Sequence, residues 1–167
     1  MPRIPPITER RLLDPEGQVV FDRIVESRGS VLRPFELLMH SPAMADKVAD
    51  LGHVIRFDSH LADADRELVT LATGRAHGCT FVWESHLETA RTAGIDPEAL
   101  LAADETLSAR EKTLVAFVDE LCATGAVSDA TFQAVDDLVG TQGIVELILT
   151  VGYYTMLAYT MSASGAC

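Results

Sequence analysis

The sequence is poor in cysteine and shows no secretion signal. Among its 167 residues the only cysteines are Cys79, Cys122 and Cys167, an odd number without the spacing of a zinc finger. The first thirteen residues lack the continuous apolar core of a signal peptide. These absences predict a protein of the reducing cytoplasm that needs no structural metal.

Basic residues are also scarce. Thirteen Lys and Arg stand against 25 Asp and Glu, which gives a formal net charge of -12 and a pI near 4.7. Nucleic-acid binding depends on clustered Lys and Arg, so the charge balance argues against such a partner. Apolar residues make up 48% and charged residues 23% of the chain, a balance typical of a globular protein that folds.

Strand signals are almost absent, because apolar residues recur at spacings of three and four rather than two. The pattern predicts an all-α protein with one domain over residues 1–167. Side chains that can cap a helix precede a proline at Asp14, Ser41 and Asp96, and Ser108 opens a capping box. The predicted helices, about eight in number, lie near 15–28, 42–57, 63–77, 79–93, 97–103, 108–124, 128–139 and 142–162.

Both ends of the chain have a distinct character. Pro2, Pro5 and Pro6 predict that residues 1–13 form an extended N-terminal arm, loose unless it packs on a neighbouring subunit. The apolar run from Gly143 to Ala163 is long enough for a membrane span, but Glu146 and several Thr and Tyr favour a buried core helix. Its dense apolar residues leave few polar positions, as in a helix buried inside an oligomer.

Three residues that can carry chemistry are spaced along two neighbouring helices. Cys79 and His86 are seven residues apart and therefore share one face of a helix, and Cys79 opens that helix, where the helix dipole favours a thiolate. If the preceding helix packs antiparallel after a break at His77-Gly78, Glu67 reaches the same region. A carboxylate beside an imidazole in an apolar pocket is a plausible acid/base pair.

These residues resemble a known framework. Glu67, eleven residues, Cys79, six residues and His86 are similar to the Glu-x11-Cys-x2-Cys-x3-His motif of the AhpD-like alkylhydroperoxidases and carboxymuconolactone decarboxylases. Val82 stands where that motif has its second cysteine, the one expected to attack peroxide. The chain therefore resembles the non-redox members, because Cys79 alone cannot close a disulfide within the motif.

The resemblance extends to segments 34–44, 66–68 and 152–156, and covers most of the chain from about residue 30. It implies an AhpD-like helical fold, assembled into trimers or hexamers. For chemistry it implies a cofactor-free lyase or isomerase that moves a proton or removes carbon dioxide from a small lactone or unsaturated acid. Glu67 would shuttle the proton, His86 would be the general acid/base, and Cys79 a polar wall. The expected substrate-binding residues are Phe35, His77, Val82, Trp83, Tyr153 and Tyr154.

Other interpretations stay open. Cys79 could serve a thiol-dependent peroxidase with an external thiol, Cys122 or Cys167 as its partner. A non-catalytic binding module could keep the same fold. His77, Cys79, Glu84 and His86 could be imagined around zinc, but Glu84 points away from the Cys79/His86 face and no common zinc spacing is present, so no metal is expected. Tyr153 and Tyr154 are adjacent, so at most one should face the site and the other could lie in an interface.

Overall fold

The computed structural model describes residues 2–103 and 105–166. These residues form eight α-helices and contain no β-strand, which confirms the all-α prediction. The helices are α1 Pro15–Arg28, α2 Arg33–Leu38, α3 Pro42–His53, α4 Asp63–Ala76, α5 Thr80–Thr92, α6 Pro97–Ala102, α7 Ala109–Thr124 and α8 Asp129–Ser164.

The chain divides into two compact units. One contains Met1–Phe57 together with Tyr159–Cys167, and the other contains Asp58–Ala158. The single domain expected from the sequence stays a prediction. All three residues of the predicted Glu67/Cys79/His86 framework belong to the second unit, which is therefore the part of the fold that positions the candidate site.

In the first unit, α1 and α2 each pack on α3. The predicted arm contains no α-helix, but it is tied down rather than loose. The Ile7 amide donates to the Glu36 carbonyl at 2.9 Å, and the Arg3 amide donates to the Ser164 carbonyl at 2.6 Å. The His40 ring also hydrogen-bonds the Pro5 carbonyl at 2.7 Å, and Arg10–Leu12 form a 3-10 turn. Backbone hydrogen bonds to ordered segments fix an arm that composition alone suggests is mobile.

The second unit is built around α4, whose residues 65–74 are all buried. Helices α5 and α7 pack on α4, and the Arg110 guanidinium on α7 forms a two-pronged ion pair with the buried Asp65 carboxylate at 2.9 and 2.6 Å. The apolar core continues into α8. Its most deeply buried members include Leu68, Val69, Leu71, Ala72, Leu114, Phe117, Val118, Leu147 and Val151.

Most of the predicted helix starts are present. Asp14, Asp96 and Ser108 accept hydrogen bonds from the first turns of α1, α6 and α7, and Ser108 completes its capping box with Glu111. Ser41 is the N-cap of α3 and Pro42 its first residue, as predicted, but the Ser41 side chain makes no cap bond. Such bonds satisfy amide groups that a helix start leaves without an intrahelical partner.

Three boundaries differ from the prediction. Helix α2 was not predicted, since its six residues are too few to show a period. Helix α3 ends at His53 and continues as a π-helical turn, Val54–Asp58, rather than as α-helix to 57. The two predicted helices 128–139 and 142–162 form one long element, α8, with a non-helical kink at Gly140 (φ 69°, ψ 173°).

Helix α8 is also the one helix in the described part of the chain that is long and apolar enough to cross a membrane by length and composition. Half of its most apolar window is buried inside the protein. Core helices of soluble proteins pass the same test, so this property is weak evidence for a membrane span.

Candidate functional site

Helices α4 and α5 form an antiparallel hairpin. Helix α4 ends at Ala76 with His77 as its C-cap, and Gly78 adopts a left-handed conformation (φ 59°) that reverses the chain. The Cys79 amide then donates to the Gly74 carbonyl at 2.9 Å, and Cys79 becomes the N-cap of α5. This turn brings the middle of α4 opposite the middle of α5.

The hairpin brings Glu67 and His86 into contact. His86 Nδ1 lies 2.8 Å from Glu67 Oε2, which is a charge-assisted hydrogen bond. The two side chains are only 3% and 13% exposed, respectively. Water therefore screens the contact little, and the carboxylate holds the ring in a single orientation.

The second oxygen of the same carboxylate faces a cation. Arg66 Nη2 lies 3.5 Å from Glu67 Oε1, and Arg66 Nη1 donates to Asp63 at 2.8 Å. A buried carboxylate is costly unless it is paired, and Arg66 and His86 together supply the partners. The Arg66 guanidinium therefore belongs to the environment of the pair.

Cys79 shares the His86 face of α5 but lies far along it. Seven residues of α-helix correspond to a rise of about 10 Å. Val82 is only one turn from His86, and it is buried against Gly74 of α4. The structure thus places an apolar side chain, rather than the buried Cys79 thiol, in the turn next to the Glu67/His86 pair.

Aromatic side chains line one side of the pair. The Tyr154 ring lies edge-on to the His86 ring with centroids 5.0 Å apart, and the Tyr153 ring packs edge-on against Tyr154 at 5.1 Å. Both tyrosines are buried, so the idea that one of them lies in an interface is wrong. Trp83 is half-buried and packs against the apolar core of the second unit. Phe35 is buried in the first unit, under the Arg28 guanidinium, and its place in the site stays a prediction.

A second cluster of polar side chains lies at the α4/α5 turn. His77 Nε2 and the Thr155 hydroxyl share a hydrogen bond of 2.9 Å, and burial lowers the pKa of His77. Cys122 on α7 bonds the same hydroxyl, while burial and the nearby Asp119 charge raise the pKa of its thiol. Thr155 lies 78 residues from His77 in the sequence, so no spacing signal could have predicted this contact.

Thr70 carries an unusual polar group near the pair. It follows Glu67 by three residues on α4, so the two share a stripe of the helix. Its fully buried hydroxyl has no hydrogen-bond partner. The buried Thr73 and Thr150 instead donate to carbonyls four residues earlier, at 2.7 and 2.8 Å.

Within residues 2–103 and 105–166, no three His, Cys, Asp or Glu side chains come together as a metal site would require. Glu84, one member of the imagined zinc set, is solvent-exposed.

Part of the chain is similar to a known protein family. Residues 42–103 match the model of the carboxymuconolactone decarboxylase family, and this segment contains Glu67, Cys79 and His86. The predicted resemblance to that family is confirmed. No curated protein matches the chain.

Solved structures share the fold. An uncharacterized peroxidase-related protein from Silicibacter sp. TM1040 superposes with a TM-score of 0.77 at 18% identity, covering 98% of this chain and 92% of its own. The alkylhydroperoxidase AhpD core of an uncharacterized peroxidase-related protein from Ralstonia eutropha JMP134 superposes with a TM-score of 0.80 at 17% identity, covering 99% of this chain and 91% of its own. The apo debrominase Bmp8 superposes with a TM-score of 0.76 at 13% identity, covering 97% of this chain and 89% of its own. At these identities the similarity establishes an AhpD-like fold and leaves the reaction open.

Proposed function

We propose that this chain, with its carboxymuconolactone decarboxylase segment, is an enzyme that transfers a proton at an activated carbon of a small lactone or unsaturated acid. The observation that carries the proposal is the buried 2.8 Å contact between Glu67 and His86. A fixed carboxylate–imidazole pair is the arrangement that general acid/base catalysis uses.

The two members of the pair have different roles. The Nδ1–H group of His86 donates a hydrogen bond to Glu67. Nε2 is therefore the ring atom that exchanges a proton with the substrate. Arg66 holds the other Glu67 oxygen, so the carboxylate orients the ring and stabilises the imidazolium that forms. This assignment makes His86 the acid/base and Glu67 its orienting partner, rather than a separate proton shuttle.

The reaction can be written without a cofactor. Nε2 of His86 removes a proton from the carbon next to a carbonyl, and the C–H electrons move onto the carbonyl oxygen as an enolate. The imidazolium then returns the proton to a different carbon, which gives an isomer. In a decarboxylation His86 starts as the imidazolium: the C–C bond to the carboxylate breaks, CO2 leaves, the bond electrons form the enolate, and Nε2 then gives its proton to the enolate carbon.

Thiol peroxidase activity is the second candidate, supported by Cys79 at the N-terminus of α5 and by the peroxidase-related names of two neighbours. Two observations weigh against it. Cys79 is buried and two turns from His86, and burial raises the pKa of Cys122, which makes that thiol a poor partner. A binding module without catalysis would keep the fold and lack turnover.

We also infer that the protein acts in the cytoplasm on a small molecule, and that its copies associate as trimers or hexamers. The part of α8 after Glu146 is apolar and contains no Asp, Glu, Lys or Arg, which supports self-association, and the net charge of -12 supports the absence of a nucleic-acid partner.

A deuterium-exchange screen tests the proposed reaction. Lactone, aromatic and unsaturated acids are incubated with the protein in D2O, and NMR follows loss of the C–H signal and formation of product. His86→Ala and Glu67→Gln should each lower the rate by about 100-fold or more, as expected when an acid/base group is removed. Cys79→Ser should lower it only modestly.

Matched variants show whether the loss is specific. His53→Ala and Glu88→Gln remove the same groups at exposed positions and should leave exchange unchanged. Full turnover in His86→Ala would refute the assigned role. Hydroperoxide consumption that disappears in Cys79→Ser would establish the thiol alternative, and ligand-induced stabilisation without any reaction would indicate a binding module.

A further inference from the structure

Two buried polar atoms without partners lie beside the Glu67/His86 pair. Among the residues that the structure describes, three buried side-chain atoms have no hydrogen-bond partner: Arg28 Nε, Arg66 Nε and Thr70 Oγ1. Arg66 and Thr70 are one turn apart on α4, on either side of Glu67 in the sequence. A buried donor without an acceptor lowers stability, so two of them at one place require an explanation.

The packing of α4 on α5 places Thr70 at the level of His86. Gly74 lies one turn after Thr70 on the same face of α4, and a Cβ atom at Gly74 would lie 3.0 Å from Val82 of α5. His86 lies one turn after Val82, and α5 runs antiparallel to α4. One turn back along α4 and one turn onward along α5 therefore reach the same level of the hairpin, on the faces where the two helices meet.

The Thr70 hydroxyl retains its capacity to donate a hydrogen bond. Threonine in a helix often bonds the carbonyl four residues earlier, as Thr73 and Thr150 do. Thr70 is 0% exposed and makes no such bond to the Arg66 carbonyl. Its O–H group can therefore donate to an acceptor atom that a substrate brings to the pair.

The proton transfer proposed for His86 creates such an acceptor. When Nε2 removes a proton from carbon, the C–H electrons move onto the neighbouring carbonyl oxygen, which becomes a negatively charged enolate oxygen. The His86 Nδ1–H group and the two Nη atoms of Arg66 already face carboxylates. They do not serve this oxygen, and a donor fixed in advance where charge develops is among the strongest contributions to such a step.

We propose that the Thr70 hydroxyl is a further catalytic group, which binds the enolate oxygen of the substrate beside the buried Arg66 guanidinium. This assignment rests on the proton transfer proposed above. Threonine keeps its proton throughout, so no bond to Thr70 forms or breaks. When the imidazolium returns the proton to carbon, the electrons leave the oxygen and the hydrogen bond weakens.

The charges around the pair suit an enolate. In the intermediate, Arg66 and the His86 imidazolium carry two positive charges, against the one negative charge of the buried Glu67. Asp63 also bonds Arg66, but its side chain is 78% exposed, so water screens its charge. One buried positive charge thus remains to balance the enolate.

The assignment also narrows the substrate class. The oxygen that Thr70 binds must belong to the carbonyl next to the carbon that His86 deprotonates. A lactone carbonyl gives an enolate with a single negative charge, whereas a free carboxylate at the same place would give one with two. We therefore expect the reacting carbon to lie next to a lactone carbonyl, with any carboxylate of the substrate further away.

Binding of tetronic acid tests the assignment without turnover. This γ-lactone exists at pH 7 as a stable enolate, and calorimetric titration measures its affinity. Thr70→Val, which replaces the hydroxyl with a methyl group of the same shape, should raise the Kd about tenfold or more, as expected for loss of a hydrogen bond to a charged group. Thr70→Ser should bind nearly as well as wild type. Thr73→Val removes a buried but bonded hydroxyl of the same helix and should leave the affinity unchanged.

Exchange kinetics in D2O with α-angelica lactone, an unsaturated γ-lactone, provide the second measurement. Thr70→Val should lower kcat by about 100-fold with little change in KM, and Thr70→Ser should restore most of the rate. A wild-type chain that does not bind tetronate, or equal tetronate affinity in wild type and Thr70→Val, would overturn the assignment even where His86 proves essential for exchange. Exchange that persists in His86→Ala would instead refute the proton transfer, whatever the result for Thr70.

Discussion

Glu146 should make a large, pH-dependent contribution to stability. Its carboxylate accepts hydrogen bonds from the Ser59 hydroxyl at 2.6 Å, the His60 amide at 2.8 Å and the Gln142 side chain at 2.9 Å. Burial alone would raise the pKa of Glu146, but these donors outweigh burial and lower its pKa to about 2. The charged form is therefore favoured in the folded protein.

The size of this contribution follows from linkage. A fall of the Glu146 pKa from 4.5 to about 2 corresponds to roughly 3 kcal/mol at about 1.4 kcal/mol per unit. The side chain is 20% exposed, so solvent screening reduces this figure only partly. Because the folded-state pKa is lowered, the contribution is complete above pH 4.5 and disappears as the pH falls towards 2.

Urea unfolding of wild type and Glu146→Gln between neutral pH and pH 2.5 measures the effect. At pH 7 the free energy of unfolding of the variant should be about 2–3 kcal/mol lower than that of wild type, because the NH2 group of the introduced amide faces hydrogen-bond donors instead of accepting from them. This difference should shrink below pH 4.5. Glu88→Gln, an exposed carboxylate on α5, should change stability by less than about 0.5 kcal/mol. A Glu146→Gln deficit that is equally large at pH 3 and pH 7 would refute the electrostatic argument.

Three further outcomes follow from buried groups. Thr70→Val removes a buried hydroxyl without a partner, so calorimetry should show a melting temperature that is unchanged or higher; a clear loss would mean that the hydroxyl is satisfied. Gly74→Ala places a Cβ 3.0 Å from Val82 and should lower the free energy of urea unfolding by about 1 kcal/mol, although alanine is a better helix former than glycine. If the clash is the cause, adding Val82→Ala to the same chain should recover part of this loss. Iodoacetamide should alkylate Cys122 more slowly than a free thiol at pH 7, because burial and then Asp119 raise its pKa; equal rates would contradict this.

The sequence predicted the fold because its signals are local. Apolar spacing marks the helices, and Asp14, Asp96 and Ser108 act within four residues of the amides they cap. The attachment of the arm by the Ile7 amide depends on a contact between distant segments, which local patterns do not encode.

The site was predicted in part for the same reason. Glu67 and His86 are nineteen residues apart within one hairpin, so helix geometry and one turn suffice to bring them together. Tyr154 and Thr155 reach the hairpin from α8, and only the packed structure shows that Tyr154 meets His86 and Thr155 meets His77. The suggestion that one of the two tyrosines lies in an interface failed because ring-on-ring packing can bury two neighbouring side chains.

The residue at position 82 determines which chemical group lies next to the Glu67/His86 pair. A side chain one turn before His86 is a close neighbour of that ring, whereas Cys79, two turns away, is separated by about 10 Å along the axis. A cysteine at position 82 would place a thiol in the turn beside the imidazole, where a base could help to ionise it. Valine at that position removes the thiol and packs against Gly74, which closes the two helices tightly. The imidazole is then left with a carboxylate partner and apolar surroundings, which supports the proposed proton transfer on carbon over activation of sulfur.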